Sequence, residues 1–261
     1  MVNPANLADN QASSQPGTVD MMVNMGPQHP ATHGVFRMEL RVDGEQILDL
    51  VPHVGYLHRG SEKLCEHELY SQIITLFDRF DYISNFNNEL VIVAAVEKLM
   101  GVEAPPRAEL IRMIMCEFNR IASHMLFYGT FAIDMGAITP VLYNFRDREK
   151  IQALFESVSG ARMMHNYFRV GGIKEDVGDD FVARALALCD DLERGIDETD
   201  RLLTVNEIFV ERTVGIGVIS GEDALDWGLS GPVLRASGVP YDVRVDEPYS
   251  HYDEMDFGVP V

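Results

Sequence analysis

The chain has 261 residues, a formal net charge of −20 and 46% hydrophobic residues, which is enough apolar material for a globular core. The acidic charge argues against a nucleic-acid surface and against electrostatic docking on anionic lipid. The three cysteines are far apart, so there is no CxxC ligand pair or disulfide framework, and no apolar run is long enough to span a bilayer.

The chain begins with a polar stretch over residues 1–18 that is rich in Asn, Ala, Ser and Gln. It has no apolar period, so we expect a disordered tail. Residues 19–25 are the first candidate strand.

A loop with two histidines follows, with the sequence Gly-Pro-Gln-His-Pro-Ala-Thr-His-Gly over residues 26–34. Pro27 and Pro30 fix their φ angles and remove two backbone donors, which excludes a helix here. The i, i+4 spacing of His29 and His33 therefore cannot form the helical zinc pair of H-E-x-x-H proteins. Two interpretations stay open, namely a histidine presented from a stiff loop for function, or a structural turn capped by histidines.

Apolar and polar residues alternate over residues 35–42, which is typical of a half-buried strand. Asp43-Gly44 predicts a two-residue hairpin turn, and residues 46–51 form the partner strand. Pairing across this turn would place Gly34 opposite His53, bringing His33 and His53 to the open end of one hairpin.

Helical patterns dominate after the hairpin. The predicted helices span 61–76, 87–100, a segment beginning after Pro105-Pro106, 140–158 and 181–203. The third has apolar residues at a 3.6 period, which indicates a buried bundle helix whose methionines fill the core. The acidic stretches over 175–200 and 242–256 are expected to be solvated surface.

These elements predict an α+β fold that is mainly α. We expect a tail over 1–18, an antiparallel hairpin region over 19–60, a helical bundle over 61–204, and an irregular segment with small strands over 205–261.

Five ordered motifs can be compared with known families. They are Gly-Pro-Gln-His-Pro-Ala-Thr-His-Gly at 26–34, Pro-His-Val-Gly-Tyr-Leu-His-Arg-Gly-Ser-Glu-Lys at 52–63, Asp-Arg-Phe-Asp-Tyr at 78–82, Ile-Asp-Met-Gly-Ala at 133–137 and Ser-Gly-Ala-Arg-Met at 159–163. Together they closely resemble the D subunit of respiratory complex I, NADH:quinone oxidoreductase. The resemblance covers residues 19–261, and family members continue further, so we expect a truncated chain or a separately encoded front part.

The resemblance implies a fold like that of the nickel–iron hydrogenase large subunits, whose metal is held by paired Cys-x-x-Cys motifs. Asp81 and Ser84 occupy the places of one cysteine pair here, so soft-metal ligation is impossible at that end. No metal site is expected.

The resemblance also implies a quinone headgroup pocket in which His33 and Tyr82 contact the two quinone oxygens. Quinone reduction consumes two protons, and imidazole and phenol groups can supply or relay them. Asp134 matches the carboxylate that pairs with the loop histidine, and Thr130 matches a pocket residue. Without the resemblance, the local sequence predicts that Tyr82 is a core aromatic and that Asp134 is only a helix-end residue.

Other residues resemble those near the terminal [4Fe-4S] cluster, which a partner subunit holds. His58, Arg59 and Arg79 would tune that cluster, because a fixed positive charge raises a nearby reduction potential, while His53 either belongs there or only braces the hairpin. The family commonly has a histidine where this chain has Met164. Either the next residue, His165, reaches the cluster, or the reduction potential of the cluster depends only weakly on pH. We favour a weak pH dependence.

The expected function is therefore that of one component of a proton-translocating NADH:quinone oxidoreductase, inactive alone and peripheral on the cytoplasmic face of the cell membrane. Its partners would be the B-type cluster subunit, the C-type subunit, the H-type membrane subunit and quinone, with no nucleic acid. Two alternatives stay open: the equivalent subunit of a deazaflavin- or ferredoxin-fed quinone or phenazine oxidoreductase, and a non-catalytic scaffold fragment.

Overall fold

A computed structural model describes residues 20–261, which form an α+β fold that is mainly helical and has three small antiparallel sheets. The tail expected over residues 1–18 lies outside the described residues. The chain divides into two compact units, one ending at Glu66 and the other spanning His67–Val261. The domain boundaries expected at residues 60 and 204 stay predictions.

The first unit is built around a three-stranded sheet in the order β1-β4-β5 and a smaller β2-β3 ladder. Its elements are β1 (Asp20–Met25), β2 (Gln28–His29), β3 (Gly34–Val35), β4 (Arg37–Asp43), β5 (Gln46–His53) and the short helix α1 (Ser61–Cys65). Leu40, at the centre of β4, is 5% exposed and is the buried residue of the predicted alternating strand.

The β4-β5 hairpin has a different register from the predicted one. Asp43 pairs with Gln46, and a bulge further along the hairpin shifts the pairing again, so that His53 lies opposite Arg37. The predicted pairing of His53 with Gly34 is wrong. The reason is that the turn glycine, with a φ of +61°, occupies the first of the two turn positions, so the turn begins one residue later than expected.

The second unit is mainly helical. Its elements are α2 (Tyr70–Phe77), α3 (Asn85–Met100), α4 (Pro106–Asp134), α5 (Thr139–Ser159), β6 (Phe168–Arg169), β7 (Gly172–Ile173), α6 (Phe181–Thr199), α7 (Glu207–Thr213), α8 (Gly221–Asp226), α9 (Gly231–Ala236) and α10 (Val243–Asp246). Short helices follow residue 205, and the described residues 205–261 contain no strand, so the expectation of small strands there is wrong.

The long helices begin and end close to the predicted positions, with one exception. The helix expected over 61–76 is two helices, α1 and α2. Leu69 has an extended backbone, and its N–H donates to Gln72 Oε1 at 3.0 Å, so a new helix begins there. In contrast, Gly101 ends α3 with a φ of +67°, as a C-terminal glycine is expected to do.

Helix α4 is the centre of the second unit and packs against α3 and α5. Met115, Ala122 and Met125 of the predicted apolar face are buried, whereas Leu110 and Ile114 are 40% and 37% exposed. The two buried methionines fill the core, as expected from their flexible, polarisable side chains.

Arg112, 1% exposed, ties α4 to its neighbours. Its guanidinium donates to both carboxylate oxygens of Glu97 on α3, at 2.7 and 3.1 Å, and to the carbonyl oxygen of Gly172 at 2.7 Å. The bidentate geometry satisfies a buried cation with a paired anion and a peptide oxygen, as burial of a charge requires.

Candidate functional site

The histidine loop of the first unit contains a short 3₁₀ turn over Pro30–Thr32. His29 Nδ1 accepts a hydrogen bond from the backbone N–H of Ala31 at 3.1 Å, and the Thr32 hydroxyl donates to the His29 carbonyl oxygen at 2.7 Å. The capping interpretation therefore describes His29, whose ring nitrogen satisfies a backbone donor at the start of the turn.

His33 lies at the other end of this turn with a left-handed backbone, φ +47° and ψ +39°, and its side chain is exposed. The base of the loop is fixed by Gly26, whose φ is +91° and where a Cβ would collide with the carbonyl oxygen of Phe36. Only glycine tolerates both constraints. The loop therefore presents the exposed imidazole of His33 from a locally fixed frame.

The remaining candidates of the first unit lie at the end of β5 and just before α1. His53 is half-buried, with Nε2 3.5 Å from Glu39 Oε2, a contact that braces the sheet. His58 and Arg59 are exposed, and His58 Nε2 is 3.9 Å from Glu62 Oε2. The structure thus leaves His58 and Arg59 accessible.

In the second unit, the Asp78–Ser84 segment connects α2 to α3. Tyr82 is 55% exposed, so the interpretation of this residue as a core aromatic is wrong. Arg79 is also exposed, and its Nη1 donates to the carbonyl oxygen of Thr75 at 2.5 Å. Asp81 and Ser84 are joined by a hydrogen bond from the Ser84 N–H to the Asp81 carbonyl oxygen at 3.0 Å. The segment is a tight turn that presents a tyrosine and an arginine.

Thr130 and Asp134 are one turn apart at the end of α4. The Thr130 hydroxyl donates to the Leu126 carbonyl oxygen at 2.9 Å, and Asp134 is the last helical residue, with an exposed side chain. A carboxylate at a helix C-terminus faces the negative end of the macrodipole, which is electrostatically unfavourable for the helix.

His165 lies in the core rather than at the surface. It is 4% exposed, its ring stacks on Phe86 with centroids 4.1 Å apart, and its Nδ1 is 3.0 Å from the Ala161 carbonyl oxygen. Burial lowers the pKa of His165 to about 4, so the ring is neutral near pH 7. The preceding residue, Met164, has a φ of +57° and a sulfur atom 3.5 Å from Asn85 Nδ2.

Sequence reasoning missed two buried acids behind the Asp78–Ser84 segment. Asp78 and Glu89 are both 0% exposed, and each carboxyl affects the pKa of the other. Asp78 Oδ2 accepts the N–H of Asn166 at 3.1 Å, and Glu89 Oε2 accepts those of Tyr167 and Phe168 at 2.8 and 2.7 Å. The sequence feature that could have predicted this buried pair is the position of Glu89 on the apolar face of α3.

Burial raises the pKa of Glu89, and the adjacent Asp78 carboxyl raises it further. The first effect penalises the charged form, and the second adds repulsion between like charges. Both causes favour a neutral Glu89, and burial also raises the pKa of Asp78.

A groove of about 640 Å³ in the second unit, lined by residues such as Met113, Phe118 and Phe181, contains none of the predicted site residues. Over residues 20–261, no group of three or more His, Cys, Asp or Glu side chains could hold a metal ion. Within the same residues, no helix is both long and apolar enough to cross a membrane.

The comparisons with known proteins agree with one another. Residues 134–261 match the family model described as "Respiratory-chain NADH dehydrogenase, 49 Kd subunit". The chain is 54% identical over 241 residues to the D subunit of the NADH-quinone oxidoreductase of Geobacter sulfurreducens, an alignment that covers 92% of this chain and 62% of that protein.

Two further relatives give the same result. The D subunit of the Geotalea uraniireducens enzyme is 52% identical over 241 residues, covering 92% of this chain and 62% of that protein. The D 2 subunit of the Rhizobium etli enzyme is 51% identical over 242 residues, covering 93% and 60%. The chain therefore spans between 60% and 62% of the length of these relatives.

Proposed function

Since the chain belongs to the family of D subunits of NADH-quinone oxidoreductases, we propose that it acts within a proton-translocating NADH:quinone oxidoreductase and contributes the quinone-reduction pocket. The observation that carries the proposal is the exposure of Tyr82, 55%, on the turn between α2 and α3. An aromatic residue with only a packing role would be buried there.

The pocket needs a proton donor for each quinone oxygen. Tyr82 supplies a phenol O–H and His33 an imidazole N–H, and both side chains are exposed in their own units. Asp134 is proposed to pair with His33, which would fix the orientation of the imidazole. Thr130, one turn before Asp134, is proposed to line the same pocket.

His58, Arg59 and Arg79 are proposed to lie toward a [4Fe-4S] cluster held by the B-type partner subunit. Fixed positive charge near such a cluster raises its reduction potential, and arginine keeps its charge at any physiological pH. His165, the fourth residue expected near that cluster, is buried and neutral at pH 7. We therefore expect the cluster potential to depend weakly on pH, and a pH titration of that potential showing the full slope of one coupled proton would contradict this.

Exposed apolar side chains support a role inside an assembly. Val54 and Leu57 in the first unit are 85% and 64% exposed, and Leu69 and Tyr70 in the second are 70% and 62% exposed. Large exposed apolar residues of this kind are typical of surfaces that a partner covers. The proposed partners are the B-type, C-type and H-type subunits, in a complex attached peripherally to the cytoplasmic face of the membrane, and the chain is inactive without them.

The test is the Tyr82→Phe variant in the assembled complex. The control variant is Tyr241→Phe, which also removes one tyrosine hydroxyl but lies outside the proposed pocket. Quinone reduction should fall by about 100-fold or more, because a positioned proton donor contributes at least that much. NADH oxidation by an artificial acceptor upstream should be unchanged, and Tyr241→Phe should retain both activities. If Tyr82→Phe retains normal quinone reduction, the pocket assignment is wrong.

A further inference from the structure

The buried carboxyl pair Asp78–Glu89 has a hydrogen-bonding pattern that two carboxylates cannot satisfy. Asp78 Oδ1 and Glu89 Oε1 are fully buried, and neither accepts an N–H or O–H from any other group in the part of the chain that the structure describes. The two carboxyls are close enough for each to affect the pKa of the other, and their other oxygens accept the N–H groups of consecutive residues. A carboxylate only accepts hydrogen bonds, so the two buried oxygens can satisfy each other only if one of the groups carries a proton.

We propose that Asp78 and Glu89 share one proton and that the pair, acting through this proton, positions the turn that carries Arg79 and Tyr82. Two ionised carboxylates in contact repel each other and are costly to bury, whereas one proton converts the contact into a short, charge-assisted hydrogen bond. The role of Tyr82 rests on the proposed function, but the shared proton does not.

The pair connects two segments that are distant in sequence. Its remaining oxygens accept three consecutive backbone N–H groups over residues 166–168, directly after His165. Asp78 is also the first residue of the turn, and its carbonyl oxygen accepts Asn85 Nδ2 at 2.6 Å. The shared proton therefore holds the Tyr82 turn, the start of α3 and the 166–168 segment together.

Charged and titratable groups surround the pair on several elements. Burial raises the pKa of Asp78, and Arg79 in the turn and Arg169 of β6 act in the opposite direction. On α4, the buried thiol of Cys116 is near enough for Glu89 to affect it, and it stays neutral because burial raises its pKa. With the proton, the pair carries a single buried negative charge, whereas removing it leaves two carboxylates buried side by side.

Removal of the proton at alkaline pH should therefore loosen the turn. A carboxyl whose pKa is raised in the folded state contributes stability that is complete below its unfolded pKa and is lost as the pH rises through the folded pKa. The consequence for the proposed function is an alkaline loss of quinone reduction that follows the deprotonation of the pair.

The first experiment detects the proton itself, by infrared spectroscopy of the full chain in H₂O and D₂O at neutral pH. The wild type and the exposed control Glu103→Gln should show a deuterium-sensitive carboxylic acid C=O band. This band should be lost in Glu89→Gln, where an amide that can still donate to Asp78 replaces the acid that carries the proton. In Asp78→Asn the band should change in frequency, because Glu89 remains buried but has lost its carboxyl partner. A band that persists unchanged in both variants, or that is missing from the wild type, would overturn the shared proton.

The second experiment measures quinone reduction by the assembled complex from neutral to strongly alkaline pH. The reversible alkaline loss should occur in the wild type and in Glu103→Gln and move to higher pH in Glu89→Gln, while Glu89→Ala should lose more activity than Glu89→Gln at every pH. An alkaline loss that is the same in Glu89→Gln as in the wild type would overturn the positioning role. A failure of the proposed function gives a different result from a failure of the shared proton. If only the proposed function fails, Tyr82→Phe retains quinone reduction while the wild type still shows the infrared band.

Discussion

Removing the guanidinium of Arg112 should destabilise the second unit far more than removing an exposed one. Arg112→Ala leaves the Glu97 carboxylate, whose side chain is 10% exposed, without its bidentate partner, and the Gly172 carbonyl oxygen loses a donor. Breaking a buried ion pair from one side costs roughly 3–5 kcal/mol, because the remaining charge stays buried. The matched control is Arg107→Ala, whose ion pair with Asp176 has side chains 66% and 60% exposed.

The control should cost no more than about 1 kcal/mol, as exposed pairs do. Urea denaturation of the full chain, followed by circular dichroism, gives both free energies of unfolding, and the slopes of the transitions should be equal so that the midpoints can be compared. Arg112→Lys should fall between the two, since it keeps the charge but loses the planar bidentate contact. If Arg112→Ala and Arg107→Ala differ by less than about 1 kcal/mol, the argument from burial is wrong.

Two other substitutions and one labelling experiment test the packing and capping of the second unit. Gly195→Ala would place a Cβ against the carboxylate of Asp147, so we expect a loss of about 1–3 kcal/mol from overpacking; an unchanged urea midpoint would contradict this. Ser220→Ala removes the hydroxyl that accepts a first-turn N–H of α8 at 3.1 Å and should cost about 0.5–2 kcal/mol. Calorimetry would detect that loss, and its absence would mean that the cap contributes nothing. Iodoacetamide should modify the exposed Cys189 in the folded protein and reach the fully buried Cys116 only after unfolding; early labelling of Cys116 in mass spectra would show that the core opens.

The long helices could be predicted from the sequence because their signals are local. Pro105-Pro106 and a sustained 3.6 period are sufficient to place the start of α4, and Gly101 is sufficient to end α3. Neither depends on contacts with distant residues.

Other features depend on tertiary contacts and were therefore wrong or missed. The bulge in the β4-β5 hairpin is a one-residue irregularity that alternation alone does not reveal. The burial of His165 depends on Phe86, which is far away in the sequence. Glu89 lies on the apolar face of α3, and only the N–H groups of the 166–168 segment explain why an acid can be buried there.

The candidate site was predictable as a set of residue types rather than as a geometry. The proline-framed loop predicted either a histidine presented for function or a structural turn capped by histidines, and only the structure shows that His29 caps the turn. The exposure of Tyr82 excludes a core position, and the local sequence pattern does not determine this exposure. The assignment of Tyr82 and Asp134 as quinone-pocket residues stays a prediction.

The length of α4 has a consequence for how mutations in this chain should combine. The helix is one continuous element of 29 residues, with Arg112 in its first turns and Asp134 at its last position, about 33 Å apart along the axis. Changes at positions so far apart without shared partners are expected to be additive in free energy. The helix therefore acts as a spacer between the ion pair that stabilises the unit and the acid proposed for chemistry, so that either can vary in evolution without disturbing the other.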